Sequence, residues 1–488
     1  MSLITDHILT WVTFVPLIGS LLLWTVVRRD QHARILALVV ALADFVLSLH
    51  LWFRFDSGRG DDQFVERVAW LWSGQVSYHF GCDGISLVLA VLTTFLGPLI
   101  LLSTWKAVTD RVRDYMAFLL MLQAAMLGTF FARDMLLFYV FWEAMLIPMY
   151  FIIGIWGGQR RIYAAVKFFI FTMVGSVFML VGILYLFFQA GSMNLTDFLN
   201  VHLGRTEQLW LFAAFFLAFA IKVPVFPLHT WLPDAHVEAP TAGSVVLAGV
   251  LLKMGTYGIL RISYPILPDA ALWFAFPLAI LGAINILYGA YCAMAQSDMK
   301  KLVAYSSVSH MGYVLLGMAA FTEAGINGAV LQMFNHGTIT AMMFLCVGVV
   351  YDRAHTREIN GFGGLMTQMP VYGTVFSFAL FAALGLPGLS GFVSEAMIFM
   401  GVFPVYRTVA MVSALGIIIG AAYVLWMLQR VFLGPKNEKW DSLPDINARE
   451  MFTLVPIGVI VLLLGVYPMP VLNLMKVSLN NLIKVVAG

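Results

Sequence analysis

The chain has 488 residues, 61 % of them hydrophobic and only 11 % charged, and its mean hydropathy is +0.90. Soluble chains run at roughly 45–50 % apolar and about 25 % charged, so this composition excludes a soluble enzyme, a disordered chain, a collagen-like repeat and a secreted disulfide scaffold. A net charge of +2 without a Lys/Arg cluster also excludes the electrostatic footprint of a nucleic-acid binder.

The remaining class is an all-α polytopic membrane protein. A hydrocarbon core takes about 20 apolar residues per helix. Apolar runs between charged or Pro/Gly-rich breaks predict fourteen spans, at 8–27, 35–53, 84–105, 115–132, 135–155, 164–188, 209–231, 241–262, 272–295, 302–321, 326–350, 371–402, 408–433 and 452–475. A transmembrane β-barrel needs strands of about 10 residues with alternating polarity, whereas these runs are longer and continuous. The first run lacks a basic leading segment and is long enough to span, so a retained helix is expected rather than a signal peptide. Between spans two and three lies a polar stretch, Arg54 to Cys82. Between six and seven, Leu195 to Leu203 suits a short surface helix. Neither stretch is long enough for a soluble catalytic domain. Loops after odd-numbered spans hold sixteen Lys and Arg and the opposite side nine, which predicts that both termini face away from the cytoplasm.

Two spans contain helix breakers. Span seven reads Lys222-Val-Pro224-Val-Phe-Pro227, with Pro233 behind it; span twelve reads Leu386-Pro387-Gly388-Leu-Ser-Gly391, then Glu395. Carbonyls freed by such breaks cannot face lipid, so they must be buried or line a wet cavity. Interrupted helices at corresponding places in two halves point to a transporter's ion site. The spacing suggests two five-helix units, spans four to eight and nine to thirteen. An odd number of spans per unit inverts the second relative to the first. The chain then divides into residues 1–113 (helices 1–3), 114–262 (first repeat), 272–433 (second repeat) and 434–488 (helix 14).

Charges deep in a bilayer cost at least about 2.5–3.5 kcal/mol each, so they are the informative residues. Glu143 lies in span five, Lys222 in seven, Lys253 in eight and Glu395 in twelve, with His310 and His336 in ten and eleven. Lys167 and Asp134 sit near span ends, where snorkelling is open to them; Asp44 is deeper and stands alone. Each has a structural reading beside the functional one. Glu143 and Lys222 could be a helix-locking ion pair, Glu395 a cap on a half-helix, and either histidine a satisfied core group. Polar neighbours one turn apart favour a proton path: Ser306, His310 and Tyr313; Gln332, His336 and Thr340; Asn285, Tyr288 and Cys292. The same stripes could simply hydrogen-bond across helices. Histidine and buried lysine both suit proton transfer, and moving a carboxylate towards or away from a lysine makes it hold or release its proton.

The segment His229-Thr-Trp-Leu-Pro233-Asp234-Ala-His236-Val-Glu238 carries two histidines and two acids, but at no metal-site spacing, and reads better as a proline-rich re-entrant connection. Cys82, Cys292 and Cys346 are too scattered for an iron–sulfur or zinc site. The chain has no motif for nicotinamide, flavin, haem attachment or a phosphate loop, so no cofactor is expected on it.

Several segments resemble the antiporter-like membrane subunits of respiratory complex I, most closely the M-type (chain 4) subunit. They are Phe138-Tyr-Val-Phe-Trp-Glu143-Ala-Met-Leu-Ile-Pro148, Ala220-Ile-Lys222-Val-Pro through His236, Leu252-Lys253-Met-Gly-Thr-Tyr257, Tyr305-Ser-Ser-Val-Ser-His310, Asn335-His336-Gly and Leu386-Pro-Gly-Leu-Ser-Gly-Phe-Val-Ser-Glu395. The resemblance implies fourteen helices, two inverted five-helix repeats and broken helices seven and twelve. It implies that Glu143 and Lys222 are a coupling pair, Lys253 the central lysine, His310 and His336 the proton relay and Glu395 the terminal ionisable residue. Glutamate at 395, the Tyr351-Asp-Arg353-Ala-His355 stretch and the lack of a long lateral C-terminal helix favour the M-type over its L-type and N-type relatives.

The expected function is proton translocation as a membrane-arm subunit of NADH:quinone oxidoreductase. The enzyme's FMN, iron–sulfur clusters and quinone are then expected on partner subunits. Expected neighbours are the L-type and N-type subunits and membrane lipids. The expected location is a bacterial cytoplasmic (inner) membrane with both termini periplasmic, in preference to a mitochondrial inner membrane. The alternatives are a subunit of a multi-subunit sodium/proton antiporter, a purely structural scaffold and a stand-alone transporter.

Overall fold

A computed structural model describes residues 5–487. Its chain begins with α1 (Ile8–Thr25) and α2 (Asp30–Arg54), followed by an antiparallel hairpin of β1 (Gln63–Leu71) and β2 (Val76–Cys82). The helices α3 (Gly84–Ser103), α4 (Val112–Phe131), α5 (Met135–Trp156) and α6 (Arg161–Ala190) come next. Then come α7 (Arg205–Lys222), the short α8 (Trp231–Glu238) and α9 (Thr241–Ile266). The second half runs through α10 (Pro268–Met294), α11 (Met299–Ala319), α12 (Glu323–Ala354), α13 (Pro370–Leu384), α14 (Ser390–Val402) and α15 (Arg407–Phe432). It closes with α16 (Ala448–Val466) and α17 (Met469–Ala487). Among the described residues twelve helices are long and apolar enough to cross a membrane, and α13 and α14 are shorter apolar helices.

Helix starts follow from side-chain caps. Asp83 accepts from the Ser86 N–H at the head of α3, Asp134 from Leu136 and Leu137 at α5, Asp298 from Lys300 and Lys301 at α11, and Thr322 from Gly325 at α12. These polar caps stand where the chain turns between crossings.

Burial is graded across the bundle. The apolar stretch of α12 is wholly buried, α9, α11 and α3 nearly so, while α2, α15 and α16 present mostly exposed apolar faces. Exposed Leu, Ile, Val and Phe on those outer helices suit lipid or partner helices. Close approach of α10 and α11 depends on Gly282 and Gly312: a Cβ on Gly312 would stand 2.7 Å from the Gly282 carbonyl oxygen.

The breaks fall where the prolines demand. The run 209–231 becomes α7 ending at Lys222, a turn containing Pro224 and Pro227, and then α8. The run 371–402 becomes α13 and α14, separated by a bend in which Gly385 adopts φ +77° and caps α13.

Three elements differ from the sequence expectation. The stretch Arg54–Cys82 is not merely polar loop but holds the hairpin, whose Val76, Tyr78 and Phe80 alternate with Ser77 and His79. The expected surface helix at Leu195–Leu203 is a single turn, Leu195–Phe198. The last apolar run stops at Val466, and α17 lies beyond it as a separate helix against α3 and α12. The Ser478 hydroxyl on α17 meets the Gly84 N–H at 3.2 Å.

Candidate functional site

The broken helices are held by asparagines from neighbouring helices. Asn285 on α10 accepts the Phe226 N–H at 2.8 Å and donates to the Pro224 carbonyl at 3.1 Å, satisfying the first break from both sides. Trp231 Nε1 takes the freed Ile221 carbonyl at 2.8 Å. Asn335 on α12 does the matching work at the second break, donating to the Ser390 carbonyl at 2.7 Å and to Ser394 Oγ at 3.0 Å. Of the polar stripe Asn285, Tyr288 and Cys292, the first residue therefore serves the backbone, and Tyr288 packs its ring against Phe226 and His229.

Lys222 ends α7 just before the break and is buried, and its Nζ has no hydrogen-bond partner among the described residues. Its ammonium stands 5.3 Å from the centre of the Trp142 ring and 5.4 Å from that of Phe168. Ring faces stabilise a desolvated cation. Glu143, one residue after Trp142 on α5, contributes to the field at Lys222, and Ser176 of α6 lies beside its carboxylate. Glu143 Oε1 is likewise without a hydrogen-bond partner. The two are near but not locked in an ion pair, so a small motion of either helix changes their interaction.

Lys253 sits in α9 between two π-helical turns, Leu247–Leu251 and Ile259–Ser263. Such wider turns expose backbone carbonyls, and Lys253 Nζ donates back to the Ala248 carbonyl. Its other partner is His336 Nδ1 of α12, at 2.7 Å. The His336 ring lies 5.7 Å from that of His310 on α11. His310 Nδ1 faces the Ser306 carbonyl at 2.8 Å, and its Nε2 faces the Ala383 carbonyl, beside the second break, at 3.0 Å. Glu395 Oε1, on α14, stands 3.6 Å from the same Nε2.

The row Lys253, His336, His310, Glu395 is thus contiguous across four helices. A cavity of about 10 Å³ touches His310, His336, Gln332, Ser306 and Glu395, close to the space a single water needs. His336 Nε2, which has no protein partner, belongs to its lining residue. Carbonyl oxygens only accept hydrogen bonds, so both contacts of His310 are satisfied together only when both ring nitrogens carry hydrogen. Ser306 Oγ also meets Tyr423 OH at 2.8 Å, extending the polar contacts towards α15.

At the opposite end of α9 a cavity of about 460 Å³ is lined by Glu238, Asp298, Lys300, Pro240 and Thr241. Lys300 donates to the Ala239 carbonyl at its floor. His236 is buried nearby, stacked on Phe344 at 4.8 Å, with both ring nitrogens unpartnered. The sequence reading weighed His236 only as a metal ligand. Asp234 instead pairs with Lys167 at 2.6 Å, Glu238 accepts the Arg160 N–H at 2.9 Å, and His229 packs on Phe226, so these four side chains diverge. Lys167 does not simply snorkel, nor does Asp44 stand alone: Gln123 Nε2 donates to Asp44 at 2.5 Å. The Lys167–Asp234 pair is partly exposed, and Lys167→Met is expected to cost under ~1 kcal/mol in thermal inactivation of the assembled protein, with proton transport unchanged.

Residues 132–420 match the family described as NADH:quinone oxidoreductase/Mrp antiporter, TM, and residues 64–129 match NADH-ubiquinone oxidoreductase chain 4, amino terminus. The chain is 46 % identical to the NADH-quinone oxidoreductase subunit M of Rhodobacter capsulatus, over 98 % of this chain and 97 % of that one. It is 45 % identical to the NADH-ubiquinone oxidoreductase chain 4 of Arabidopsis thaliana, over 96 % and 95 %. A chain of respiratory complex I from Thermus thermophilus superposes with a TM-score of 0.88 at 31 % identity, covering 98 % of this chain and all of that one. A chain of the Mrp complex from Dietzia sp. gives a TM-score of 0.87 at 22 % identity over the full length of both, a likeness of fold alone.

Proposed function

The chain belongs to the NADH:quinone oxidoreductase subunit M (chain 4) family, and from that membership we propose that its buried lysines, histidines and glutamates are the proton route of the enzyme's membrane arm. The observation that carries this reading is the run of neighbouring groups from Lys253, hydrogen-bonded to His336, past the His310 ring 5.7 Å from that of His336, to Glu395 3.6 Å from His310. A proton taken up from the cytoplasm loads on or near Lys222, passes to Lys253, and crosses the histidines to Glu395. The loose Glu143–Lys222 pair gates it: Glu143 approaching Lys222 holds the proton there, and Glu143 receding releases it. Fourteen crossings, with α7–α8 and α13–α14 each counted as one broken helix and α17 left outside the count, include two inverted five-helix units at 114–262 and 272–433. Both termini then lie on the periplasmic side of a bacterial inner membrane. Redox energy comes from partner subunits carrying FMN, iron–sulfur clusters and bound quinone. Flanking L-type and N-type subunits and lipid cover the exposed apolar faces.

The test replaces Lys222 by Met in the whole complex. In inside-out vesicles, NADH-driven acidification is expected to vanish while NADH oxidation by an artificial acceptor that bypasses the membrane arm continues. Retention of both overturns the assignment of Lys222.

A further inference from the structure

The two ends of α9 are built differently. Beside its start is the open polar cavity; against its last turns, on the hairpin side, is a closed knot of charges. Arg133, between α4 and α5, is 2 % exposed and has every nitrogen occupied. Its Nε donates to Asp62 Oδ1 at 2.8 Å, Nη2 to Ser86 Oγ at 3.1 Å, and Nη1 to the Phe130 carbonyl at 3.1 Å and Tyr257 OH at 3.2 Å. Arg261 of α9 meets Asp62 Oδ2 at 2.9 Å and Asp83 Oδ2 at 3.1 Å. Tyr257, one turn beyond Lys253, donates its hydroxyl proton to the Phe130 carbonyl at 2.8 Å.

No member of this knot can pass a proton easily. A guanidinium does not deprotonate in a protein. Burial works against the Asp62 carboxylate, but Arg133 and Arg261 outweigh it and hold the group well below the usual carboxylate range, which makes it a poor proton acceptor. The Tyr257 proton is committed to a carbonyl. Lys253 itself leans the other way, towards Ala248. Two arginines against two aspartates leave the knot neutral, so it persists buried without a counter-ion.

We propose that the Arg133–Asp62–Arg261–Asp83 knot is a proton seal, closing the hairpin side of α9 so that a proton on Lys253 can leave only sideways through His336. This rests on the reading of Lys253 as a proton carrier.

The test measures passive proton flux into liposomes holding the whole complex without NADH, driven by a potassium diffusion potential. Arg133→Met is expected to raise that flux severalfold, and Arg133→Met with Lys253→Met to return it to the parent level. Arg261→Met, at the more exposed rim, is read in the same assay and is expected to leak too, so the seal stays testable where Arg133→Met fails to assemble. Parent-level flux in the assembled Met variants overturns the seal. A leak that persists in the double variant overturns its route through Lys253. NADH-driven pumping retained in Lys253→Met alone overturns the proton-carrier reading, separately from the seal.

Discussion

Replacing Lys253 by Met is expected to cut NADH-driven acidification by roughly a hundredfold, the order of effect of removing a positioned proton-transfer group, while oxidation of NADH by an artificial acceptor continues. Lys253 is fully buried, and its two partners are a carbonyl and an imidazole, so no carboxylate neutralises it. Met keeps the packing volume and removes only the titratable head. Lys253→Arg separates two explanations. Arginine keeps the charge but cannot release its proton, so a proton-carrying role predicts that pumping is lost here as well. Pumping at the parent rate in an assembled Lys253→Arg complex would reduce Lys253 to a fixed charge. His336 sharpens the comparison, because among the described residues its Nδ1 is the one side-chain partner of the lysine.

Much of this row was legible in the sequence, because intramembrane charges are costly and therefore scarce. Lys253, His310, His336 and Glu395 are among the few ionisable groups in long apolar runs, and the structure brings them together. The prolines at 224, 227 and 387 likewise announced the breaks. What spacing along the chain does not carry is contact between helices. The pairing of Lys222 with Glu143 is one of field rather than of a salt bridge, and aromatic rings that spacing does not point to, Trp142 and Phe168, have their centres 5.3 and 5.4 Å from its ammonium. Asn285 was grouped by helical spacing with Tyr288 and Cys292, whereas its work lies on another helix's backbone. His229 and His236 sit at no metal-site spacing, and their rings take separate partners, Phe226 for the first and Phe344 for the second. The hairpin had a readable signal, alternation over Val76–Cys82, that hydropathy runs of helix length pass over. The segment leading into β1 carries Asp62 to Arg133 and Arg261, two residues that lie 71 and 199 positions away.

Asn285→Leu is expected to be more damaging than Asn335→Leu, and the reason is how many backbone groups each leaves bare. An ordinary polar contact between membrane helices contributes about 0.6 kcal/mol, because the separated helices find substitutes. A break containing prolines is different. Pro224 and Pro227 supply no N–H, and although Val225 still bonds to the Ala220 carbonyl and Leu228 to that of Val225, the Phe226 N–H and the Pro224 carbonyl take Asn285 as their partner. Asn285 acts as a substitute peptide group, accepting from Phe226 and donating to Pro224. Leucine there strands one donor and one acceptor, each costing about 1–3 kcal/mol when buried. Asn335→Leu removes one of two contacts at each partner, since the Ser390 carbonyl also lies 3.3 Å from Ser394 Oγ and that hydroxyl keeps Gln332 Oε1 at 2.5 Å. The expected result is a large loss of assembled complex on native gels for Asn285→Leu and a partial loss for Asn335→Leu. Asn285→Asp tests the cause: it can still accept from Phe226 but cannot donate to Pro224, and it adds a buried charge, so it should not restore assembly. Equal abundance and thermal inactivation for Asn285→Leu and the parent would mean that the first break is satisfied without Asn285, and the matching roles assigned to the two asparagines would fall with it.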